Sequence, residues 1–329
     1  MPNFPPYGQL AVKGKYLVQA SNNQPVQLRG MSLYWSQWEH GDEFVLKKDE
    51  SVPVFFSAPF YNADTVNALK CSWNSNVVRA AMGVESDKDS VGYLDNKQAE
   101  LQKVEAVIKA AIAAGIYVVV DWHDHRAQYH LDPAIEFFKT ISAKYGNYPN
   151  IIYETFNEPI DASWSSVLKP YHLAVIAAIR ANDANNVIVV GTPNYSQYVD
   201  EAANDPITAY GQINIAYTLH YYAGSHRQDI RNRAITAINQ NLPIFVTEYG
   251  TVNCYGNGPV DTDESNKWWN FLDQNKISYI NWSIADKDEG SAALKPGTTA
   301  QQVGDNSKTT TSGQFVKKKL VSQHNGVSC

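Results

Sequence analysis

The chain has 329 residues, of which 44% are hydrophobic and 18% are charged, an ordinary composition for a folded globular protein. Its net charge of −6 argues against a nucleic-acid partner, which requires clustered Lys and Arg. No stretch approaches the about 18 consecutive apolar residues of a membrane helix, so we expect no membrane partner either.

Short β-branched segments recur along the chain, and most are followed by a helical pattern. We predict strands at 26–32, 77–82, 117–123, 151–157, 187–191, 214–220, 244–249 and 278–283. Their polarity is mostly continuous rather than alternating, and we expect apolar strand interiors. This pattern favours a parallel sheet that is covered on both faces.

The sequence also predicts helices between these strands. Residues 96–114 place Leu101, Val104 and Ile108 on one stripe, and Gly115 follows as a C-terminal stop. Further helices are expected near 62–72, 132–145, 165–181, 227–241, 261–275 and 311–323. Eight βα units without a break in composition predict the α/β class and a single (β/α)8 TIM barrel over residues 1–329. Residues 7–28 resemble a β-hairpin, which we expect to close the bottom of the barrel.

Polar or aromatic side chains lie where nearly every predicted strand ends. In such barrels the active site is assembled at the C-terminal ends of the strands. Reading off those ends gives a shared set of residues: Arg79, His123, Asn157, Glu158, His220, Tyr222, Glu248 and Trp282.

Two members of this set, Glu158 and Glu248, end strands four and seven and would face one another across the barrel mouth. Glycoside hydrolysis needs such a pair, one acid to protonate the leaving oxygen and one carboxylate to attack the anomeric carbon. Arg79 could keep Glu248 ionised. Glu158 has no obvious cationic neighbour, so we expect a raised pKa for it and an acid-leaning pH profile.

Each residue alone has a plainer interpretation. A strand-terminal Glu is more often a capping or salt-bridging residue, and an isolated Arg79 more often forms a structural ion pair. The DWHDH stretch raises the alternative of a metal site built from Asp121, His123, Asp124 and His125. No H-E-x-x-H, G-x-S-x-G, P-loop or G-x-G-x-x-G motif occurs, so we expect no metal and no cofactor.

The three cysteines, Cys71, Cys254 and Cys329, are too few for a disulfide framework and show no C-x-x-C spacing. Pairing of Cys254 with Cys329 stays open. The odd number leaves at least one thiol free.

From about Gln9 to Gln323 the chain resembles glycoside hydrolase family 5, specifically its bacterial-type endo-β-1,4-glucanases (cellulases). The resemblance is carried by GQLAVKGKYLV, QLRGMS, NVVRAAMG, YVVVDWHDH, YETFNEP, LHYYAGSH, FVTEYGT and INWSIADKDEGSAAL. Together these stretches are highly specific.

The resemblance implies roles for the residues around the scissile bond. Glu158 would be the acid/base and Glu248 the nucleophile. Arg79 and Tyr222 would hold Glu248 charged, while Asn157 would bind the sugar 2-hydroxyl. The same subsite would be lined by His123, His220 and the stacking platform Trp282.

Residues further from the bond are implied as sugar contacts. Trp38, Lys287 and Glu289 would hold sugars toward the non-reducing end, and Tyr195 would lie on the leaving-group side.

Tyr34 departs from the family, which commonly has a His there, so we expect altered sugar contacts rather than lost activity. The segment between Trp38 and Asn62 is longer than expected, and its aromatic residues could form either a packed lid or a glycan-binding rim.

The resemblance implies retaining hydrolysis of internal β-1,4 bonds of cellulose and related β-glucans, by a secreted monomer whose leader is absent from this sequence. Three alternatives stay open: a mannanase or xylanase with the same machinery, a non-catalytic carbohydrate-binding barrel, and a metal-dependent hydrolase.

Overall fold

Eight parallel strands close into a barrel in a computed structural model that describes residues 4–38, 59–208 and 213–329. The barrel strands, in chain order after a two-stranded hairpin (β1, Leu10–Lys13; β2, Tyr16–Gln19), are β3 Arg29–Leu33, β4 Val77–Gly83, β5 Tyr117–His123, β6 Ile151–Glu154, β7 Val187–Val190, β8 Ile215–Tyr222, β9 Ile244–Gly250 and β10 Ser278–Ile284. Each strand pairs with its chain neighbour, and β10 closes the ring on β3. The predicted (β/α)8 barrel is confirmed.

Helices cover the outside of this barrel. They are α1 Ala63–Trp73, α2 Lys97–Ala114, α3 Leu131–Tyr145, α4 Lys169–Arg180, α5 Pro193–Ser196, α6 Val199–Asn204, α7 Gln228–Asn239, α8 Thr262–Asn275 and α9 Thr311–Val321. All seven predicted helices are present. The short α5 and α6 between β7 and β8 were not predicted, because four and six residues are too few to establish a helical period. No helix within the described ranges is both long and apolar enough to cross a membrane.

Side chains alternate between the two sides of the barrel wall. Val77 points inward and packs with Tyr117 and Ile152, whereas Val78 points outward against the helices. Because successive residues of a strand face opposite sides, Arg79 must point inward like Val77. The same alternation places polar side chains inside the barrel, toward the C-terminal ends of the strands.

The β1–β2 hairpin closes the bottom of the barrel, as predicted. The Tyr117 hydroxyl donates to the Gly8 carbonyl at 2.8 Å, and the Val12 amide donates to Asn214 Oδ1 at 2.9 Å. Leu10 and Leu17 belong to the same apolar cluster as the inward-facing residues of the strands. Among the described residues, the open end of the barrel is the opposite one, where the C-terminal ends of the strands lie.

The chain's disulfide joins Cys71 to Cys329, and Cys254 is an exposed free thiol. The suggested pairing of Cys254 with Cys329 is wrong. Cys254 follows β9 at the open end, whereas the C-terminus returns to the closed end beside α1, where the Cα atoms of Cys71 and Cys329 are 5.6 Å apart.

Most of the aromatic segment between Trp38 and Asn62, including Phe44, Phe55 and Phe56, lies outside the described residues. Its last part is anchored. Tyr61 is buried, and its hydroxyl donates to the carbonyl oxygens of Tyr34 at 2.7 Å and Ala81 at 2.9 Å. The lid or rim remains a prediction.

Candidate active site

Arg79 is fully buried and lies at the centre of a polar network in the upper barrel. Its guanidinium donates to Glu154 at 2.7 Å, to Glu248 at 2.9 Å and to Asn157 Oδ1 at 2.6 Å. It also pairs with Asp121 at 2.9 Å. One cation is thus shared by three buried carboxylates, and burial of those charges depends on that pairing.

Glu248 reaches this network through an irregularity in β9. From Phe245 to Glu248 the chain advances three residues, while the paired residues of β8, Thr218 and His220, are only two apart. This extra residue, a β-bulge, lets Thr247 and Glu248 both face the barrel interior. Glu248 accepts from Arg79 Nη1 and also from the Tyr222 hydroxyl at 2.8 Å.

Glu158 lies beyond the end of β6, where the chain continues alongside β5. Its amide donates to the Asp124 carbonyl at 3.2 Å. Its carboxylate faces two imidazoles, His220 Nδ1 at 2.9 Å and His125 Nε2 at 3.2 Å. The β6 hydrogen-bond ladder itself ends at Glu154, three residues earlier than the predicted strand.

The two predicted carboxylates converge. One oxygen of Glu158, one oxygen of Glu248 and a nitrogen of His220 all lie within 4.8 Å of one another. A close pair of this kind matches retaining glycosidases, whose carboxyl groups are about 5–5.5 Å apart, rather than inverting enzymes at about 6.5–9.5 Å.

The protonation of the pair differs from the sequence-based expectation. Burial raises the pKa of Glu158, but hydrogen bonds from His125 and His220 outweigh it and lower the pKa to about 2. Burial raises the pKa of Glu248, and so does the charge of Glu158, while His220 and Arg79 act in the opposite direction. The predicted raised pKa of Glu158 is wrong because two histidines, distant in sequence, are its neighbours.

His220 holds the proton that Glu158 lacks. Burial lowers the pKa of His220, but its contacts with Glu154 and Glu158 and the nearby Glu248 charge raise it to about 9. The unit that carries the proton is therefore the Glu158–His220 pair rather than Glu158 alone.

An aromatic wall stands beside the carboxylates. Trp282 stacks on His123 with ring centroids 5.2 Å apart and 5° between the planes, and Trp35 contacts the same imidazole edge-on at 4.1 Å. Tyr34 packs against Trp282 at 5.4 Å. Trp35 was not singled out from the sequence, although it lies in the aromatic stretch YWSQW.

Lys287 and Glu289 extend the site along this wall. Lys287 Nζ donates to the Tyr34 hydroxyl at 2.8 Å and to Glu289 Oε2 at 3.0 Å. The residue that departs from the family pattern, Tyr34, thus contacts one predicted sugar-binding residue, Lys287, directly and is linked to a second, Glu289, through it.

Two predicted residues are more remote. Tyr195 is 41% exposed, and its amide donates to the Pro159 carbonyl at 2.9 Å, which places its backbone beside the loop of Glu158. Trp38 is half-buried, and its amide donates to the Trp35 carbonyl at 3.2 Å. No hydrogen bond or ring contact in the described structure joins either side chain to the carboxylate pair.

Sequence reasoning missed Glu154 and Thr247 in a buried polar layer below the carboxylates, and it considered the third member, Asp121, only as a metal ligand. Asp121, Glu154 and Thr247 lie inside strands, so the expectation of apolar strand interiors is wrong at these positions. The available signal was the carboxylate Glu154 within the otherwise apolar run IIYE, on a strand that is separated from the strand of Arg79 by β5 alone.

Two groups of side chains in the described ranges have metal-ligand spacing: Glu85, Asp124 and His130, and Glu158, His220 and Glu248. In the second group His220 has a raised pKa and Glu248 is paired with the Arg79 guanidinium at 2.9 Å, and both positive charges oppose a bound cation. In the alternative set suggested by DWHDH, Asp121 Oδ2 instead faces His123 Nδ1 at 2.6 Å and Arg79. Asp121 and His123 are therefore already paired with each other rather than free to bind a metal ion.

Comparisons with known proteins agree with this geometry. Residues 20–288 match the model of the cellulase family (glycosyl hydrolase family 5). Endoglucanase Z of Dickeya dadantii is 46% identical over 89% of this chain and 62% of its own length. An endoglucanase of Clostridium saccharobutylicum is 39% identical over 95% of this chain and 65% of its own length. The chain thus spans just under two thirds of these curated relatives.

A solved structure, the catalytic domain of Thermobifida fusca endoglucanase Cel5A, is 32% identical, with a TM-score of 0.82 over 96% of this chain and 98% of that one. The fold and the facing carboxylates define the class, a (β/α)8 barrel of the glycoside hydrolase type. The chain belongs to the cellulase family, glycosyl hydrolase family 5.

Proposed function

We propose that this protein is a retaining endo-β-1,4-glucanase, which cleaves internal bonds of cellulose and related β-glucans by double displacement. The observation that carries the proposal is the close approach of Glu158 and Glu248, within 4.8 Å between carboxylate oxygens, at the open end of the barrel. The relatives reported above are named endoglucanases, which supports the substrate class.

In the first step Glu248 attacks the anomeric carbon, and the glycosidic C–O bond breaks. The departing oxygen takes a proton from Glu158, which draws it from the pair with His220. In the second step Glu158 accepts a proton from water, the water oxygen attacks the anomeric carbon, and Glu248 is released. Two inversions give net retention.

Arg79 and Tyr222 orient the nucleophile, since both donate to Glu248. Asn157 binds the sugar 2-hydroxyl: its Oδ1 is held by Arg79, whereas its buried Nδ2 has no hydrogen-bond partner among the described residues. A buried donor without a partner is costly, and a substrate hydroxyl would satisfy it.

The aromatic wall supplies the apolar surface for the sugar rings. Trp282 is the stacking platform of the central subsite, with His123 beneath it. Lys287, Glu289, Tyr34 and Trp38 bind sugars toward the non-reducing end, and Tyr195 contacts the leaving-group side.

The wider assignments follow from the same proposal. Residues 1–329 form one catalytic domain that acts as a monomer, and the partner is the polysaccharide itself. A secreted location suits an enzyme whose substrate is an insoluble polymer outside the cell.

The test is release of reducing sugar from soluble cellulose, glucomannan, mannan and xylan, with products resolved by size and by anomeric configuration. We expect cellulose to be the preferred substrate, internal cleavage to give mixed oligosaccharides, and the β-anomer to form first. Preference for mannan or xylan would reassign the backbone. An α-anomer as first product would contradict retention, and loss of activity with a chelator would favour a metal-dependent hydrolase.

A further inference from the structure

Glu154 is a buried carboxylate that the reaction above does not use. Its side chain has no solvent exposure, and it is the last residue of β6, four residues before Glu158. Oε2 accepts from Arg79 Nε at 2.7 Å, and Oε1 accepts from the Thr247 hydroxyl at 2.6 Å. It therefore touches, directly or through one residue, the partners of both Glu158 and Glu248.

The direction of the hydrogen bonds around Glu154 is determined by chemistry. Burial raises the pKa of Glu154, but the opposite effect of Arg79 and His220 is larger and the net pKa is lowered. The carboxylate is therefore ionised and can only accept hydrogen bonds. Thr247 has one hydroxyl proton, which it must donate to Glu154. Thr247 Oγ1 is then left to accept from His220 Nε2, 3.0 Å away.

This constraint determines which hydrogen bond each ring nitrogen of His220 makes. With Nε2 committed as a donor to Thr247, only Nδ1 is available to Glu158 Oε1 at 2.9 Å. One proton lies between Nδ1 and Oε1 and can be carried by either atom. Protonated Glu158 can donate it to a leaving oxygen, and the imidazole that remains is neutral.

We propose that Glu154, acting through the Thr247 hydroxyl, is a positioning residue that orients His220 and keeps one transferable proton between His220 and Glu158. The inference deepens the proposed function and rests on it. Glu154 has no solvent exposure, so it acts on the site through its neighbours: the Thr247 hydroxyl, Arg79 Nε and, at the longer distance of 3.8 Å, His220 Nε2 itself.

Replacement by glutamine shows why the charge matters. In Glu154→Gln the amide oxygen must face Arg79, which can only donate, so the amide NH2 faces Thr247. Thr247 then accepts from the new amide and donates to His220 Nε2, which becomes an acceptor. His220 Nδ1 carries the only proton and cannot release it to Glu158, so the pair has no acidic proton until a further one binds.

Other ionisable groups face this cluster and are unchanged by the substitution. They are Arg79, Asp121, His123, His125, Tyr222 and Glu248. Since the amide oxygen introduced by E154Q still accepts from Arg79 Nε, the nucleophile side of the network keeps its hydrogen bonds.

The experiment measures kcat/KM against pH for wild type and E154Q on two substrates, cellotetraose and 2,4-dinitrophenyl β-cellobioside. Cleavage of the aryl substrate needs no protonation of its leaving group, whereas cleavage of cellotetraose does. We expect kcat/KM of E154Q to fall on the order of 100-fold on cellotetraose. On the aryl substrate the fall should be smaller by a factor of at least about ten. The alkaline limb for cellotetraose should move about one to two pH units toward acid.

Two further variants test the relay without touching Glu154. Thr247→Val removes the hydroxyl and should reproduce the shift of the alkaline limb, while Thr247→Ser restores the hydroxyl and should recover the wild-type profile. If E154Q does not fold, this pair decides the question. The matched control is Asp183→Asn, a buried carboxylate at the closed end that accepts from the Tyr153 hydroxyl at 2.7 Å. It should alter stability and leave the pH profile unchanged.

Equal losses on both substrates, or an unshifted profile in E154Q and in Thr247→Val, would overturn the inference and leave the proposed function intact. A wild-type protein inactive on both substrates would overturn the proposed function instead.

Discussion

Arg79 Nη1 donates to Glu248 Oε2 at 2.9 Å, from a side chain that has no exposure to solvent. The same guanidinium contacts Glu154, Asp121 and Asn157, so a single planar cation orients the candidate nucleophile and the polar layer below it. A lysine has the charge but not the fork geometry that such sharing requires.

Arg79→Lys should therefore lower both stability and activity. The ammonium group cannot make all four contacts, and the loss of two hydrogen bonds to charged partners lowers the free energy of unfolding by about 3 kcal/mol or more. We expect a lower midpoint in urea unfolding and a strongly reduced kcat. As a control, Lys144→Arg, on the exposed surface, should change neither quantity. An unaltered unfolding midpoint in Arg79→Lys would contradict the central role of the guanidinium.

Glu248→Gln should fold normally and lose hydrolysis by at least about 10⁴-fold, because an amide cannot attack the anomeric carbon. Circular dichroism and reducing-sugar release on soluble cellulose measure the two outcomes. Glu158→Gln should lose less on substrates with activated leaving groups than on cellulose. Retained activity in Glu248→Gln would remove its assignment as the nucleophile.

The pH dependence should extend further into the alkaline range than Glu158 alone would allow. The raised pKa of His220, about 9, means that the pair keeps its proton below that pH and loses it above. We expect kcat/KM on soluble cellulose to hold through neutral pH and to fall as the pH rises through about 9. This replaces the acid-leaning profile expected from the sequence. An alkaline limb near pH 6 would contradict the proton-sharing pair.

Tyr34→Phe should weaken substrate binding more than catalysis. The change removes the hydroxyl that accepts from Lys287 Nζ at 2.8 Å, but it keeps the ring packed on Trp282. Lys287 then loses a contact that orients it toward sugars, which costs about 1 kcal/mol, or roughly fivefold in KM for cellotetraose. An equal fall in kcat with constant KM would show that Tyr34 acts at the bond-breaking step instead.

Reduction of the disulfide should destabilise the protein without affecting its chemistry. Cys71 and Cys329 are 258 residues apart and lie at the closed end of the barrel. Their link restricts the unfolded chain, with a typical contribution of about 2–4 kcal/mol. We expect Cys71→Ser to lower the melting temperature and to retain kcat at 25 °C. Cys254→Ser, which changes only the free exposed thiol, should leave the melting temperature unaltered.

The sequence was sufficient for the order of the elements and for the candidate carboxylates. Strand and helix periods are local properties, so all eight barrel strands and seven helices could be predicted within a few residues. Barrel geometry then implied that Glu158 and Glu248 lie at the same rim, since both belong to the C-terminal ends of parallel strands.

What only the tertiary structure decided is how protons and charges are distributed among these residues. The pKa of Glu158 depends on His125 and His220, the orientation of His220 depends on Thr247 and Glu154, and Glu248 reaches Arg79 because β9 has a bulge. These relations join residues from different strands at distances of about 3 Å. Hydrogen-bond direction and burial act only at that range, and a sequence pattern does not specify it.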